Sequence, residues 1–342
     1  MLTKNIFFSL CLLCSSFAAS TQTQAPLPLT SMFSYLTAQE GAALTLELDL
    51  TELINQKQTN QYFPASLSTA DGRVFPVEAR ARGKYRRKIC DMPPLKLKFS
   101  KKVLRAQGLD TLNEVKLVVP CLDDPKGEEL VLREYVAYRL FQQISPQYHV
   151  KVGLVKVTFR DRHVEKDHDP VWCLLVEHEE EVAARLNGTL VEAYNLPIDS
   201  FQTEQAADHA LFQYLIGNTD WGISTFRNVY LLKPKAPNAP MRVLPFDFDF
   251  SGLVSAPYAM PTSQSGLRDV KERILMSDGL PQSAINAAAA RFQHMEEQLL
   301  ALSALPQLGK STNRDLGRYV ESFFSGPVPQ VESAKTAAKN LR

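Results

Sequence analysis

The segment Leu44–Leu50 reads LTLELDL, with leucine at every second position and a polar side chain between. Successive side chains of an extended chain point to opposite faces, so this pattern predicts a strand with one buried face. The same period returns at Leu95–Phe99 (LKLKF), Val115–Val119 (VKLVV) and Val150–Phe159. Val171–Val176 (VWCLLV) is a continuous apolar run short enough to be a further strand. One helix interrupts the series at Glu128–Ile144, where Leu132, Val136, Leu140 and Ile144 step by four along one face.

Beyond about residue 198 the period changes. Asp199, with Gln202 three residues on, reads as a capping box opening a helix that runs to Ile216 and stops at Gly217. Asn228–Leu232 and Met241–Pro245 are strand-like. Two amphipathic helices follow, with stripes at Ile285, Phe292, Met295, Leu299 and Leu302, and at Leu316, Tyr319, Val320, Phe323 and Phe324. No internal repeat is present. The predicted class is α+β in two lobes, a strand-rich N-lobe over 41–197 and a helical C-lobe over 198–326. A Thr-, Gln-, Pro- and Ser-rich lead-in covers 21–40, and a tail without an apolar stripe covers 327–342.

The 342 residues are 45% hydrophobic and 22% charged, which excludes a disordered or collagen-like chain. With 38 Lys plus Arg against 37 Asp plus Glu, the net charge is +1, and no nucleic-acid partner is expected. Met1–Ser20 has one cation, Lys4, then an apolar run Ile6–Leu13 and small residues to Ser20. That is the pattern of a secretory signal, too short for a stable span. Bulky Leu10 and Leu13 precede Cys11 and Cys14, which disfavours a lipoprotein. An exported protein is expected, periplasmic or secreted, and bacterial rather than eukaryotic. Of the three remaining cysteines, Cys90 and Cys121 lie at loops beside strands and are expected to pair, while Cys173 lies within the apolar run as a core thiol.

The densest polar constellation falls where helix gives way to strand. Ile216-Gly217-Asn218-Thr219-Asp220-Trp221-Gly222 ends a helix, Asn228 opens a strand, and Pro245-Phe246-Asp247-Phe248-Asp249-Phe250-Ser251-Gly252 ends the next. A loop Asp, a following Asn, a hairpin and an Asp among aromatics follow the order of parts in phosphotransferases. There the loop Asp takes the nucleophile's proton, and the Asn and second Asp hold Mg²⁺. Each segment alone also reads as ordinary helix-end caps and turns, or as a satisfied core acid. Upstream, Arg82–Lys88 carries five cations in seven residues, followed by the strand lysines Lys96 and Lys98. Either lysine could meet phosphates with Glu134 as its helix partner, or could be a solvated strand edge. No GxGxxG or GxxxxGK[ST] loop, GxSxG elbow or HExxH motif occurs.

At these residues the chain resembles the spore-coat CotH kinase family and its exported bacterial relatives, over about residues 75–255. The resemblance is carried by Arg82-Gly83 with Lys96 and Lys98, by Leu132-Arg133-Glu134-Tyr135, by GNTDW with Asn228, and by PFDFD. It implies an atypical protein-kinase-like fold that uses Mg²⁺ and ATP to phosphorylate a protein hydroxyl in the cell envelope or outside it. Asp220 would be the catalytic acid–base residue, and Asn228 with Asp247 would ligate metal. The doubled Asp247-Phe248-Asp249 leaves Asp249 as an alternative ligand, with Asp247 preferred because it directly follows the strand. The chain departs from the family in the basic run and Cys90 that follow Arg82-Gly83. A catalytically silent scaffold or binding protein is the competing reading, and a metal-dependent phosphoesterase the third.

Overall fold

The computed structural model describes residues 29–331, so the signal expected at 1–20 and the tail from 332 onward lie outside the described residues. Helix α1 (Met32–Leu36) is capped by Ser31, whose hydroxyl accepts from the Ser34 amide at 3.0 Å. Met32, Phe33 and Leu36 are buried, so the expected lead-in is packed from residue 31 onward.

The strands that follow are β1 (Ala42–Leu48), β2 (Phe63–Thr69), β3 (Val74–Ala81), β4 (Leu95–Phe99), β5 (Glu114–Val118), β6 (Val152–Asp161), the two-residue β7 (Lys166–Asp167) and β8 (Val171–Val176). Four helices lie among them: α2 (Leu50–Asn55), α3 (Arg86–Ile89), α4 (Lys101–Ala106) and α5 (Pro125–Ile144). Seven strands run β1–β2–β3–β4–β5–β8–β6, and β6 then pairs in parallel with β1, Leu44 opposite Val157. All other neighbours are antiparallel, and the ring is closed. β7 pairs with Arg160 and Asp161 at the far end of β6.

Alternation sets which side chains fill the barrel. Leu95, Leu97 and Phe99 of β4 are buried in its interior while Lys96 and Lys98 point outward. β8 differs, because Cys173 and Leu175 enter the barrel core and Leu174 and Val176 enter a second core outside it. Two covered faces account for its unbroken apolar run.

The second core is built on α5. Asp124 caps it by accepting from the Gly127 amide at 3.0 Å, with Pro125 at the first helical position. Its stripe, Leu132, Val136, Leu140 and Ile144, is buried, each side chain contributing about 1.5–3 kcal/mol. After α6 (Glu179–Arg185), a three-stranded antiparallel sheet forms from β9 (Gly188–Val191), β10 (Val229–Pro234) and β11 (Arg242–Pro245), with β10 central. Helix α7 (Thr203–Leu215) lies between β9 and β10 in sequence. The helices α8 (Gln282–His294), α9 (Glu296–Leu302) and α10 (Lys310–Phe324) complete the described chain.

The two-lobed kinase-like plan is therefore corrected. The strand-rich half is a closed seven-stranded barrel, and the carboxyl half contains a sheet of its own rather than being a helical lobe. Alternation reports only that one strand face is buried, and a barrel and an open sheet satisfy it equally. The capping box at Asp199 is corrected too. Ile198–Ser200 is a 3₁₀ turn, α7 starts at Thr203, and Gln202 makes no side-chain cap. Among the described residues no helix is long and apolar enough to cross a membrane.

Candidate functional site

A cleft of about 1020 Å³ is bordered by the loop after α7, the loop after β11 and the segment leading into α3. Gly217 ends α7 in the left-handed region, φ +63°, as a helix terminus commonly requires. Asn218 is fixed by donating to Gln213 Oε1 at 2.9 Å, and its own Oδ1 accepts from the Asp220 amide at 2.9 Å. Asn228, at φ +50°, donates from Nδ2 to the Asp220 carbonyl at 2.7 Å and to its carboxylate at 2.8 Å. Arg227 ion-pairs with the other Asp220 oxygen. Burial raises the Asp220 pKa despite the opposing pull of Arg227.

Across the cleft, Asp247 also takes a left-handed backbone, φ +66°, and its amide donates to Tyr138 Oη at 3.0 Å. The two acids after β11 meet one cation. Arg86 of α3 ion-pairs with Asp247, with Asp249 through Nε at 3.2 Å, and with Glu134 of α5 through Nη1 at 3.5 Å. Burial alone would raise all three acids. Arg86, with Arg82 beyond it, outweighs burial at Asp247, which is held low and keeps about 35% of its side chain exposed. Burial prevails at Asp249, pushed up to about 8, and at Glu134, also raised. Tyr258 Oη donates to Asp249 at 3.1 Å. Arg86 thus balances the ionised Asp247, beside two acids, Asp249 and Glu134, that burial shifts toward their neutral form.

The residues expected from sequence separate into two groups. Asp220, Asn228, Asp247 and Asp249 all border the cleft. Glu134 joins them through Arg86, and Arg82 is near enough to lower both Asp247 and Lys116. Lys96 and Lys98 are not brought there. Lys96 pairs with Glu114 on the neighbouring strand, and Lys98 lies over the Tyr62 ring at 5.5 Å. Glu134 consequently pairs with Arg86 and not with a strand lysine.

The strand lysine that does meet a helix carboxylate is Lys116 of β5, bonded to Glu179 of α6 at 2.7 Å and to Tyr230 Oη. Burial, helped by Arg82, lowers its pKa to about 8. Its signal in the sequence was a lone cation inside VKLVV. Arg86 had no comparable signal. It is one of five cations between Arg82 and Lys88, and of these it alone is buried.

Mg²⁺ is the ion that the resemblance implies, held by Asn228 with Asp247 or Asp249. The residues as arranged do not fit it. The guanidinium of Arg86 already lies on both aspartates, where a metal ion would have to stand. Among the described residues no three His, Cys, Asp or Glu side chains gather closely enough to hold a metal ion.

A disulfide joins Cys90, directly after α3, to Cys121 ahead of α5, with Cα atoms 4.6 Å apart. Cys173 is a free, buried thiol whose pKa burial drives well up. The bridge, as expected from the sequence, is compatible with an exported protein. Neither a family model nor a curated protein matches the chain.

Proposed function

We propose that the cleft transfers a phosphoryl group from a nucleoside triphosphate to a protein hydroxyl, in the periplasm or outside the cell. The observation that carries this reading is the held state of Asp220. Its carboxylate is fixed by Asn228 and Arg227 at a cleft wall, with a raised pKa that makes it a better proton acceptor. In the step, the acceptor oxygen forms a bond to the γ-phosphorus, the bond from phosphorus to the bridging oxygen breaks, and the hydroxyl proton passes to Asp220 Oδ. A nucleoside diphosphate leaves.

Lys84 and Arg227 border the same cleft as cations for the phosphates, and Lys116 with Arg82 adds positive potential behind Phe246. The order GNTDW, Asn228, PFDFD, which resembles that of the CotH-type phosphotransferases, supports the same assignment. A second reading, a binding protein without transfer, is favoured by the ion pairs that tie Asp247 and Asp249 to Arg86.

The test is transfer of labelled γ-phosphate to itself or to envelope proteins, read by mass spectrometry, for the wild type and Asp220→Asn. Transfer by the wild type that is lost in the variant supports the first reading. Nucleotide binding without any transfer supports the second.

A further inference from the structure

Arg86 is held from behind as well as from the front. The outer side of α3 is tied to the loop at residues 57–60: Arg87 Nη1 donates to the Thr59 carbonyl at 2.7 Å, Gln58 Nε2 to the Arg87 carbonyl at 2.6 Å, and Lys57 Nζ to the Cys90 carbonyl at 2.7 Å. The disulfide fixes the residue after the helix. With its backbone anchored on that side, a helix of four residues can send its first side chain only inward. There it meets carboxylates from two distant segments, Glu134 of α5 and the Asp247–Asp249 turn.

The ionised Asp247 at the wall of the cleft, with Asp249 beside it and Glu134 buried behind, would repel a polyphosphate unless a cation were present among them. A bound divalent ion would supply that charge in a metal-dependent site. Here a covalently attached guanidinium stands among the same oxygens, in a planar geometry suited to several carboxylates at once. Glu134 meets Arg86 through Oε2, while its other carboxylate oxygen, Oε1, is buried without a side-chain partner.

We propose that Arg86 is the resident counter-ion of this site, and that the cleft binds a nucleoside polyphosphate without a divalent metal. The second half rests on the phosphotransfer reading, and the first does not.

Two measurements on the oxidised, full chain separate them. In the first, Mn²⁺ is the probe, followed by electron paramagnetic resonance of the free ion. Wild type is expected to leave Mn²⁺ free, while Arg86→Met exposes the carboxylates and binds it at least about tenfold more tightly. Micromolar Mn²⁺ binding by wild type that is lost in Asp247→Asn would overturn the assignment, as would a folded Arg86→Met that gains nothing. Should Arg86→Met not fold, Arg86→Met/Asp249→Asn removes cation and acid together and is expected to fold and bind Mn²⁺ above the wild-type level, and the wild-type measurement decides by itself. In the second, calorimetry with ATP compares EDTA with excess Mg²⁺. Dissociation constants within about threefold of each other support metal-free binding, and a strict Mg²⁺ requirement overturns it. Absence of ATP binding in both buffers sinks the phosphotransfer reading while the Mn²⁺ result still decides the role of Arg86.

Discussion

The amide of Gly252 donates to the carbonyl of Gly217 at 3.0 Å, and one residue on, Leu253 donates to Ile216 at the same distance. This pair of bonds joins the two segments that border the cleft, GNTDW and DFSG, through glycines 35 positions apart in sequence. Both glycines lie against the hydroxyl end of Tyr319, which donates to the Lys271 carbonyl at 3.1 Å.

A methyl group at either glycine would therefore overlap Tyr319 Oη. Gly217→Ala and Gly252→Ala are each expected to cost about 2–4 kcal/mol in urea unfolding. The rescue differs. Tyr319→Phe removes the clashing atom and should restore part of the loss at Gly217. It should not help Gly252, where the Val270 carbonyl lies 2.5 Å from the added carbon. Equal rescue of both variants would mean that Tyr319 does not control the junction.

Asp220→Asn keeps the donors around it but removes the proton acceptor. Transfer should fall roughly 10²–10⁴-fold, with stability unchanged to within about 1 kcal/mol. Circular dichroism and a phosphate-transfer assay on the same preparation check both halves, and retained transfer would remove Asp220 from the chemistry.

His209 is fully buried between Phe141 and Trp221, and neither ring nitrogen has a hydrogen-bond partner. Burial pushes its pKa down to about 3, against about 6.5 in an unfolded chain. The folded pKa is the lower one, so below about pH 6.5 the unfolded chain takes up a proton that the folded chain refuses. Stability should drop by up to about 1.4 kcal/mol per pH unit until about pH 3. His209→Leu should flatten that part of the profile and gain about 1–2 kcal/mol at pH 7. Urea midpoints between pH 4 and pH 7 give the answer, and parallel profiles for the two proteins would count against it.

Reduction of Cys90–Cys121 opens a loop closed by residues 31 apart, for which chain entropy predicts a loss of about 3–4 kcal/mol. A thiol reagent should find Cys173 only after denaturation, since that side chain is inside the barrel. Rapid labelling of Cys173 in the native protein would contradict its burial.

What could be read from the sequence follows from what each pattern encodes. Leu95–Phe99 and Val171–Val176 match β4 and β8 because their side-chain patterns are set by strand geometry. β2 and β3 lack such a signal, because each carries a proline, Pro64 and Pro76, which breaks the usual strand pattern although both point to solvent. Closure through β1 and β6 pairs residues over a hundred positions apart, and nothing local in LTLELDL records that partner. At the site, Asp220, Asn228 and Asp247 stood out because their segments are compact and polar. Arg86 and Lys116 did not, because their roles arise from which neighbours bury them.

The parallel β1–β6 seam also bears on how the molecule forms. β1 can gain its second neighbour only after Val152–Asp161 has been made, so most of the barrel chain must exist before the ring can shut. Contacts of such long sequence separation fold slowly, because the entropy of a large loop is lost before any pairing rewards it. Until then, β1 keeps one row of backbone donors and acceptors open to other chains. A chain emerging from the amino terminus would spend its synthesis, and any passage across a membrane, in that unsealed state. Aggregation during expression should accordingly be most sensitive to substitutions that delay β6, and least sensitive to those in α8–α10.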